Sequence, residues 1–577
     1  MALPPCLIKA AKEDSYTVYY RDTFLYDKSN PKAKIYLKIK QQEIKPDTLI
    51  IIPSPLLFYG IEDLYRNLPR GCKIVCIEYD VNLYNLKNNP ESLYLNRIDY
   101  LNISDSDFFL SFIDKMKHGM IKNILFLPLN RGYYLYRDFY QKCNENIKKN
   151  LKSFLKNSLT LYSLGHRYFA NIFLNMPAYC DQKDVVDLKI DSPLFIAGAG
   201  ESLETSLPAI KKYRRYFKIL AIDTSLKTLS ACGITPDYIV AVESQLYNIY
   251  DFYGFKWSRI PLIADMTSHP LTSRVFNGEK YYFTSHFTNS VFLDKCRSMG
   301  LIPPFIPPLG SVGITALYIA MMITDSPVFY SGLDFSFTPG KTHSKDTPAI
   351  IDSLIRMNRL SGDNNYTLSF SRNLIPVKNM LGEEVYTTSV LKSYSETLSE
   401  LLAGKRTVYS LFSCGIAENV NNIADEGEFI KLITGNEVNS INSINSINSI
   451  NSINSINSIN SINSINSINS INRVNRAVNE NYSQARREKI IKLLESEFEK
   501  IETIIKAGVD VLNGQIVDDN RYLIKKLVRD SDYLLPSYPG IDYSIDFTNI
   551  TVKYILLSCY RFQKIISNSL KVILRQS

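Results

Sequence analysis

The residues best suited to chemistry gather between positions 194 and 346. In 194-LFIAGAGESL-203 an apolar run ends in Gly198-Ala199-Gly200 and then turns polar. Gly198 and Gly200 let backbone approach a ligand closely, Ser202 can cap the helix that follows, and N–H groups at a helix start favour an anion. A dinucleotide fingerprint needs a third glycine where Leu203 stands, although Asp223 falls about 20 residues on, where a ribose-binding carboxylate belongs. The match is partial, and a plain strand-to-helix turn explains this stretch equally well. In 307-PPLGSVGITALYIAMM-322 an extended segment ends at Gly310 and Ser311 opens an apolar helix. It offers a second helix N-terminus and hydroxyl, with an ordinary N-cap as the plainer reading. In 331-SGLDFSFTPGKTHSKD-346 a strand-like run gives way to a polar loop with Asp334, Lys341, Thr342 and His343. A loop histidine there can act as general base near neutral pH. His269 and His286 are its rivals, while His118 and His166 lie outside this region.

These residues need a scaffold. Candidate strands are 194–198, 218–223, 238–243, 261–265, 280–285 and 327–332, with helices fitting at 203–215, 225–232 and 311–323. Short apolar runs without alternation predict strands covered on both faces, hence a mostly parallel α/β sheet. Ligands in such sheets sit beyond the carboxyl ends of the strands. The polar residues fall there: Gly198 to Ser202, Asp223-Thr224-Ser225, Glu243-Ser244-Gln245, and Asp334. Residues 48–80 read strand–helix–strand, a strand follows at 123–129, and a polar helical stretch at 137–178. From Asn439 to Ile471 the triplet Asn-Ser-Ile repeats unbroken, which predicts a flexible spacer because Asn and Ser favour turns and one Ile in three builds no core. After it, 487-REKIIKLLESEFEKIETIIKAGVDVL-512 has helical spacing. The expected order is therefore an N-terminal α/β domain with a helical extension (1–185), a central Rossmann-like domain (186–350), the end of that domain and a connector (351–435), the repeat linker (436–474) and a C-terminal helical domain (475–577).

Composition narrows the function. A net charge of +9 over 577 residues is mild, and the densest basic run, 211-KKYRRYFK-218, reads as a solvated helix end, so nucleic acid is not an expected partner. Nine scattered cysteines without a CxxC pair predict reduced thiols and no zinc site. The first residues lack the pattern of a signal peptide, and the longest apolar run, 315-TALYIAMMI-323, falls short of the roughly 18 residues of a membrane span. The expectation is a soluble, cytoplasmic protein with no metal site.

Taken in order, Gly-x-Gly-x-Ser-Leu, then 221-AIDTSLKTLSACGITPDYIVAVESQ-245, Gly-Ser-Val, Ser-Gly-Leu-Asp-Phe and Gly-Lys-Thr-His resemble the Maf proteins, motility-associated factors that glycosylate flagellin. The resemblance covers about 190–350. The same block is similar to bacterial sialyltransferases that use CMP-sialic acid. Their Ser-Gly-Ile-Asp-Phe strand end corresponds to Ser331–Phe335, and their Gly-His-Ser-Lys segment, whose His is the proposed base, to Thr342–Lys345. The resemblance implies transfer of a nonulosonic acid of pseudaminic or legionaminic type from a CMP donor to Ser or Thr of flagellin. It implies inversion, no further cofactor, and His343 as base. The nucleotide sugar would meet Gly198, Gly200, Ser202, Asp223, Thr224, Ser225, Glu243, Ser244, Gln245, Gly310, Ser311, Asp334 and Thr342. Ala199 stands where the sialyltransferases have Asn, and Glu201 where the Maf pattern has Pro. A carboxylate beside a phosphate repels it unless it points away. Some archaeal relatives of the block transfer pyrophosphate from ATP to a pterin alcohol with magnesium, which Asp223, Glu243 and Asp334 would hold. A non-enzymatic flagellin-binding or export factor is the third reading.

Overall fold

The computed structural model describes residues 4–10, 15–94, 96, 98–103, 121, 123–252, 259–360, 362, 373–405, 407–434, 461–515, 517–535 and 548–576. His118 lies outside them. The chain forms two compact units, one of residues up to Ser163 and one from Leu164 to Leu535 with the C-terminal helix.

The first unit begins with a small antiparallel sheet of β1 (Cys6–Lys9), β2 (Tyr16–Tyr20) and β3 (Thr23–Phe24). Its main sheet is parallel, with β4 (Thr48–Pro53), β5 (Lys73–Glu78), β6 (Asp99–Asn102) and β7 (Asn123–Phe126) in the order β6-β5-β4-β7. Every residue of β4 is buried, as its unbroken apolar run requires of a strand covered on both faces. Helix α1 (Arg137–Tyr179) follows, and its residues from Leu164 on belong to the second unit.

The second unit is built on a ten-stranded sheet. Its strands are β8 (Lys183–Asp184), β9 (Leu194–Ala197), β10 (Lys218–Ile222), β11 (Tyr238–Ala241), β12 (Leu262–Asp265), β13 (Lys280–Ser285), β14 (Phe305–Ile306), β15 (Val328–Ser331), β18 (Val408–Leu411) and β19 (Asn421–Ile423). A separate hairpin, β16 (Ile375–Lys378) and β17 (Glu384–Thr387), lies between β15 and β18 in sequence. The order is β14-β13-β12-β11-β10-β9-β15-β18-β19, with β8 on β13, and every pairing is parallel. From β9 the chain builds outward to β14, then returns to place β15 on the other flank of β9. That reversal makes the topological switch point of a doubly wound sheet, where ligands of this architecture bind. The connecting helices used below are α2 (Ser202–Lys212), α3 (Leu226–Ala231), α4 (Val291–Ser298), α5 (Val312–Ile323) and α6 (Ser389–Leu402). The mostly parallel Rossmann-like fold is as expected.

The domain boundaries differ. Within 351–435, β18 and β19 complete the central sheet beyond residue 350. The C-terminal helices α7 (Ser461–Leu512), α8 (Val517–Asp530) and α9 (Asn549–Gln576) belong to the same unit as the sheet. Buried side chains bolt them on. Glu497 of α7 accepts from Ser531 (2.6 Å), Tyr533 (3.1 Å) and Lys500 (2.7 Å). Asp532 takes the hydroxyl of Ser290 (2.7 Å) and the N–H groups of Val291 (2.8 Å) and Phe292 (3.3 Å), capping α4 from a distant part of the chain. The expected spacer lies partly outside the described residues, and from Ser461 the chain is already helical, so 474 marks no boundary. Extending a helix that tertiary packing has nucleated costs only propagation, which weak formers such as Asn and Ser can sustain.

The basic run 211–218 is engaged at the surface, with Lys212 on Glu426 (2.6 Å) and Arg214 and Lys218 on Asp237 (2.6 and 3.2 Å). Inside α1, Pro177 has no N–H for the carbonyl of Phe173, and Ser569 Oγ of α9 donates to that carbonyl instead (2.9 Å).

The switch point gives a first test. Gly332 has φ +76°, and a Cβ there would lie 2.7 Å from the carbonyl carbon of Gly198. Gly332→Ala should destabilise the second unit by about 1–3 kcal/mol from backbone strain and about as much again from the clash. Urea unfolding of the full chain reads this, and a loss below 0.5 kcal/mol (about the spread of neutral surface changes) would contradict the close approach.

Candidate functional site

Beyond the carboxyl ends of β9 and β15 two glycine turns lock together. Gly198 N–H donates to Ser331 O and Gly200 N–H to Gly332 O, both at 2.8 Å. A Cβ on Gly198 would collide with the Gly332 carbonyl, and one on Gly200 with the Asp334 carboxylate. Ser202, first residue of α2, gives its N–H (2.8 Å) and its hydroxyl to Asp334, while its Oγ accepts from Gly332 N–H (2.8 Å). Ser206, one turn on, donates to Ser331 Oγ (2.7 Å). Asp334 is 2% exposed, and burial pushes its carboxyl up to about 6 against the opposing pull of the Ser202 bonds. Ser202 and Asp334 therefore brace the turn. Ser225 does the same at the next strand end, donating to Ala197 O (2.8 Å) and Ile222 O (2.9 Å) while fully buried.

The neighbouring strand ends carry a carboxylate group. Asp223 is buried, accepts from Thr224 N–H (2.9 Å) and Asn248 Nδ2 (2.7 Å), and is pushed up to about 7 by burial and then by the negative charge of Asp251. Asp251 is itself raised to about 6, by burial first and with Glu243 adding, while Lys227 opposes. Glu243 and Thr224 are half-buried and Gln245 is exposed. Ser244 is buried with no partner for its Oγ among the described residues. Among the described residues no group of three His, Cys, Asp or Glu is placed to hold a metal ion.

Open donors remain at the switch point. The N–H groups of Ala199 and Glu201 make no hydrogen bond among the described residues. Ser311 lies at the N-terminus of α5 without a side-chain cap bond and is half-buried. Gly310 before it has φ +77°, with the ring of Tyr394 on α6 where a Cβ would go. Glu201 is engaged by Lys341 (3.2 Å) and Thr338 (3.0 Å), so its charge is compensated.

The loop 338–345 is fastened to this turn. Ser344 N–H donates to Ala199 O (2.8 Å), and Lys345 N–H to Glu204 of α2 (2.5 Å). Thr228 of α3 donates to Lys345 O (2.6 Å). His343 is thereby held beside the glycine turn, with Nδ1 3.1 Å from Thr342 Oγ1. Burial lowers its pKa, so the imidazole is neutral at physiological pH. The rivals are engaged elsewhere. His269 Nδ1 accepts from Leu271 N–H (3.3 Å) at the start of the helix Pro270–Val275, and His286 stacks on Phe305 (4.9 Å).

Two residues missed in the sequence position the strand ends. Asn171 of α1 donates to Ser244 O (3.1 Å) and Thr267 O (2.8 Å), and Asn175 to Met266 O (3.0 Å) and Ser268 O (2.9 Å). Both are buried. Their four-residue spacing within the apolar stretch 169-FANIFLNMPAY-179 was the available signal, since buried amides must find partners.

Residues 170–340 match the model of a family described as 6-hydroxymethylpterin diphosphokinase MptE-like. An uncharacterized protein of Treponema pallidum (strain Nichols) is 27% identical over 446 residues, covering 75% of this chain and 76% of that protein. A second uncharacterized protein of the same organism is 23% identical over 158 residues, 25% of this chain and 75% of its own length. Among solved structures, the Maf glycosyltransferase from Magnetospirillum magneticum AMB-1 is similar with a TM-score of 0.52, over 99% of this chain and 91% of that one, at 13% identity. At that identity the likeness is one of fold. No described helix is long and apolar enough to cross a membrane.

The buried carboxylates predict a pH signature. Asp223, raised to about 7 in the folded chain, titrates near 3.9 when unfolded. Between those values the folded state binds the extra proton, so this residue's contribution to stability falls as pH rises from about 4 to about 7 and is flat above. Buried histidines, lowered in the folded state, work in the opposite direction, so the variant comparison is the clean one. Asp223→Asn should gain stability relative to wild type as pH goes from 5 to 8, read by urea unfolding at both values. A pH-independent difference would remove the buried-carboxylate assignment.

Proposed function

We propose that the chain is a glycosyltransferase that moves a nonulosonic, sialic-acid-like sugar from a CMP donor to a serine or threonine hydroxyl of flagellin, with inversion. The observation that carries this reading is the hydrogen bond from Ser344 N–H to Ala199 O (2.8 Å), which fixes a neutral, half-buried histidine beside the glycine turn of the switch point. The likeness of fold to a Maf glycosyltransferase along nearly the whole chain supports it.

In this mechanism the acceptor oxygen attacks the anomeric carbon as its proton passes to Nε2 of His343, the ring nitrogen not turned to Thr342. The bond from that carbon to the CMP phosphate breaks on the opposite face, and its electron pair leaves with the phosphate. The free N–H groups of Ala199 and Glu201, with the Ser311 hydroxyl at the start of α5, are the donors for the leaving phosphate. Glu201 does not repel it, because Lys341 holds that carboxylate (3.2 Å).

A diphosphokinase acting on a pterin alcohol is the second reading, favoured by the family match over 170–340 and by the grouping of Asp223, Glu243 and Asp251. Magnesium needs only one or two protein carboxylates when phosphates complete its shell. Asp223 and Glu243 would hold it, and the ion would supply charge neutralisation at the phosphates. Calorimetric titration with CMP and with ATP–magnesium separates the two, and binding of neither would favour a flagellin-binding factor without catalysis.

His343→Ala should lower turnover by about 10²–10⁴-fold with little change in CMP affinity, because its role begins when the hydroxyl attacks. Ser311→Ala should weaken CMP first. The rising limb of the wild-type pH–rate profile should fall below about 6.5, the ordinary His value, as burial dictates. The assay is intact-mass measurement of flagellin after reaction. Near-normal glycosylation by His343→Ala would transfer the base role to His269 or His286.

A further inference from the structure

A cavity of about 260 Å³ lies in the second unit where α1, the helix Pro270–Val275 and α9 meet. Its walls include Leu174, Pro177, Phe276 and Val572, and its lining contains Arg274 and Lys280 but no acidic residue. Pro177 lines it, where α1 loses its regular bonding and Ser569 of α9 takes over the carbonyl of Phe173.

Arg274 is exposed and Lys280 half-buried, and neither side chain makes an ion pair or hydrogen bond among the described residues. Lys280 is half-buried, and loss of water is the sole influence on its ammonium, with no carboxylate compensating. An apolar wall with uncompensated positive charge is complementary to an anion that carries an apolar body.

We propose that this cavity binds a small amphipathic organic anion, an aromatic or short aliphatic body with one carboxylate, phosphate or sulfonate group, and that its occupant is felt at the strand ends through Asn175. The volume, just under the roughly 300–1,000 Å³ of common small-ligand pockets, suits a small metabolite. Asn175 lines the cavity and also holds the carbonyls of Met266 and Ser268 (3.0 and 2.9 Å). Ser268 precedes His269, whose N–H donates to Glu243 O (3.0 Å). A ligand against this turn of α1 therefore restrains the loop after β12 and, through it, the end of β11.

The test uses the full-length protein and 1-naphthalenesulfonate as probe, titrated by calorimetry, with 1-naphthalenemethanol as the neutral analogue. The sulfonate should bind saturably at one site, at least tenfold tighter than the alcohol. Arg274→Met and Lys280→Met should each weaken it about ten- to hundredfold, as expected for one charge-assisted bond. Val572→Trp, at a partly exposed position of the wall, should abolish binding by filling the space. Amide exchange at Met266, Thr267 and Ser268 should slow when the probe is bound. Equal affinity for the neutral analogue, or binding indifferent to all three substitutions, would overturn the pocket. Unchanged exchange at saturation would overturn its link to the strand ends. No readout involves a sugar donor or acceptor, so the outcome is separable from that of the glycosyltransferase reading.

Discussion

The second unit depends on one close approach, the meeting of the Gly198 turn with the Gly332 turn. Two N–H to carbonyl bonds of 2.8 Å hold them, and no side chain larger than hydrogen fits between. Because β9 and β15 are where the chain reverses its direction across the sheet, this contact aligns the two halves. Ser202 and Asp334 seal it from one side and Leu333 from the other, its methyl lying where a Cβ of Gly198 or Gly313 would go. Displacement of either turn would move α2, the start of α5 and the histidine loop together.

That contact also explains the charge arrangement. Asp334 is held at the centre by hydroxyl and amide donors, without a direct cation. A buried carboxylate of that kind costs stability as a charge and is tolerated because its bonds specify geometry. Glu201, two residues earlier than α2's first leucine, takes the cation Lys341 instead. The Glu201 charge is thus compensated locally, beside the intact turn.

Much of the sheet was legible in the sequence because strands buried on both faces are written as short unbroken apolar runs, as in β9, β10 and β12. The same rule hid β8, β18 and β19. β8 is two charged residues, and 408-VYSL-411 and 421-NNI-423 mix polar groups into short edge-side strands. The C-terminal helices were legible by period, but their allegiance was not, since it rests on Glu497 and Asp532 meeting partners far away in sequence. At the site, the glycines declared themselves because only that residue permits such approach. The direction of a serine hydroxyl at a helix start leaves no trace in sequence. Ser202 turns inward to Asp334 while Ser311 is left uncommitted. Asn171 and Asn175 looked like ordinary helix residues until the carbonyls they serve came into view.

The bond from Ser569 to the carbonyl of Phe173 has a consequence for the order of events during synthesis. Phe173 is made early, but the group that satisfies its carbonyl is made 396 residues later. Domains ordinarily fold as they emerge, at about 5–20 residues per second. The main sheet of the first unit is complete in the first third of translation. The second unit must wait until the helix Asn549–Gln576 has been made. A chain truncated before Ser569 would keep the kinked helix but leave the Phe173 carbonyl without its hydroxyl donor.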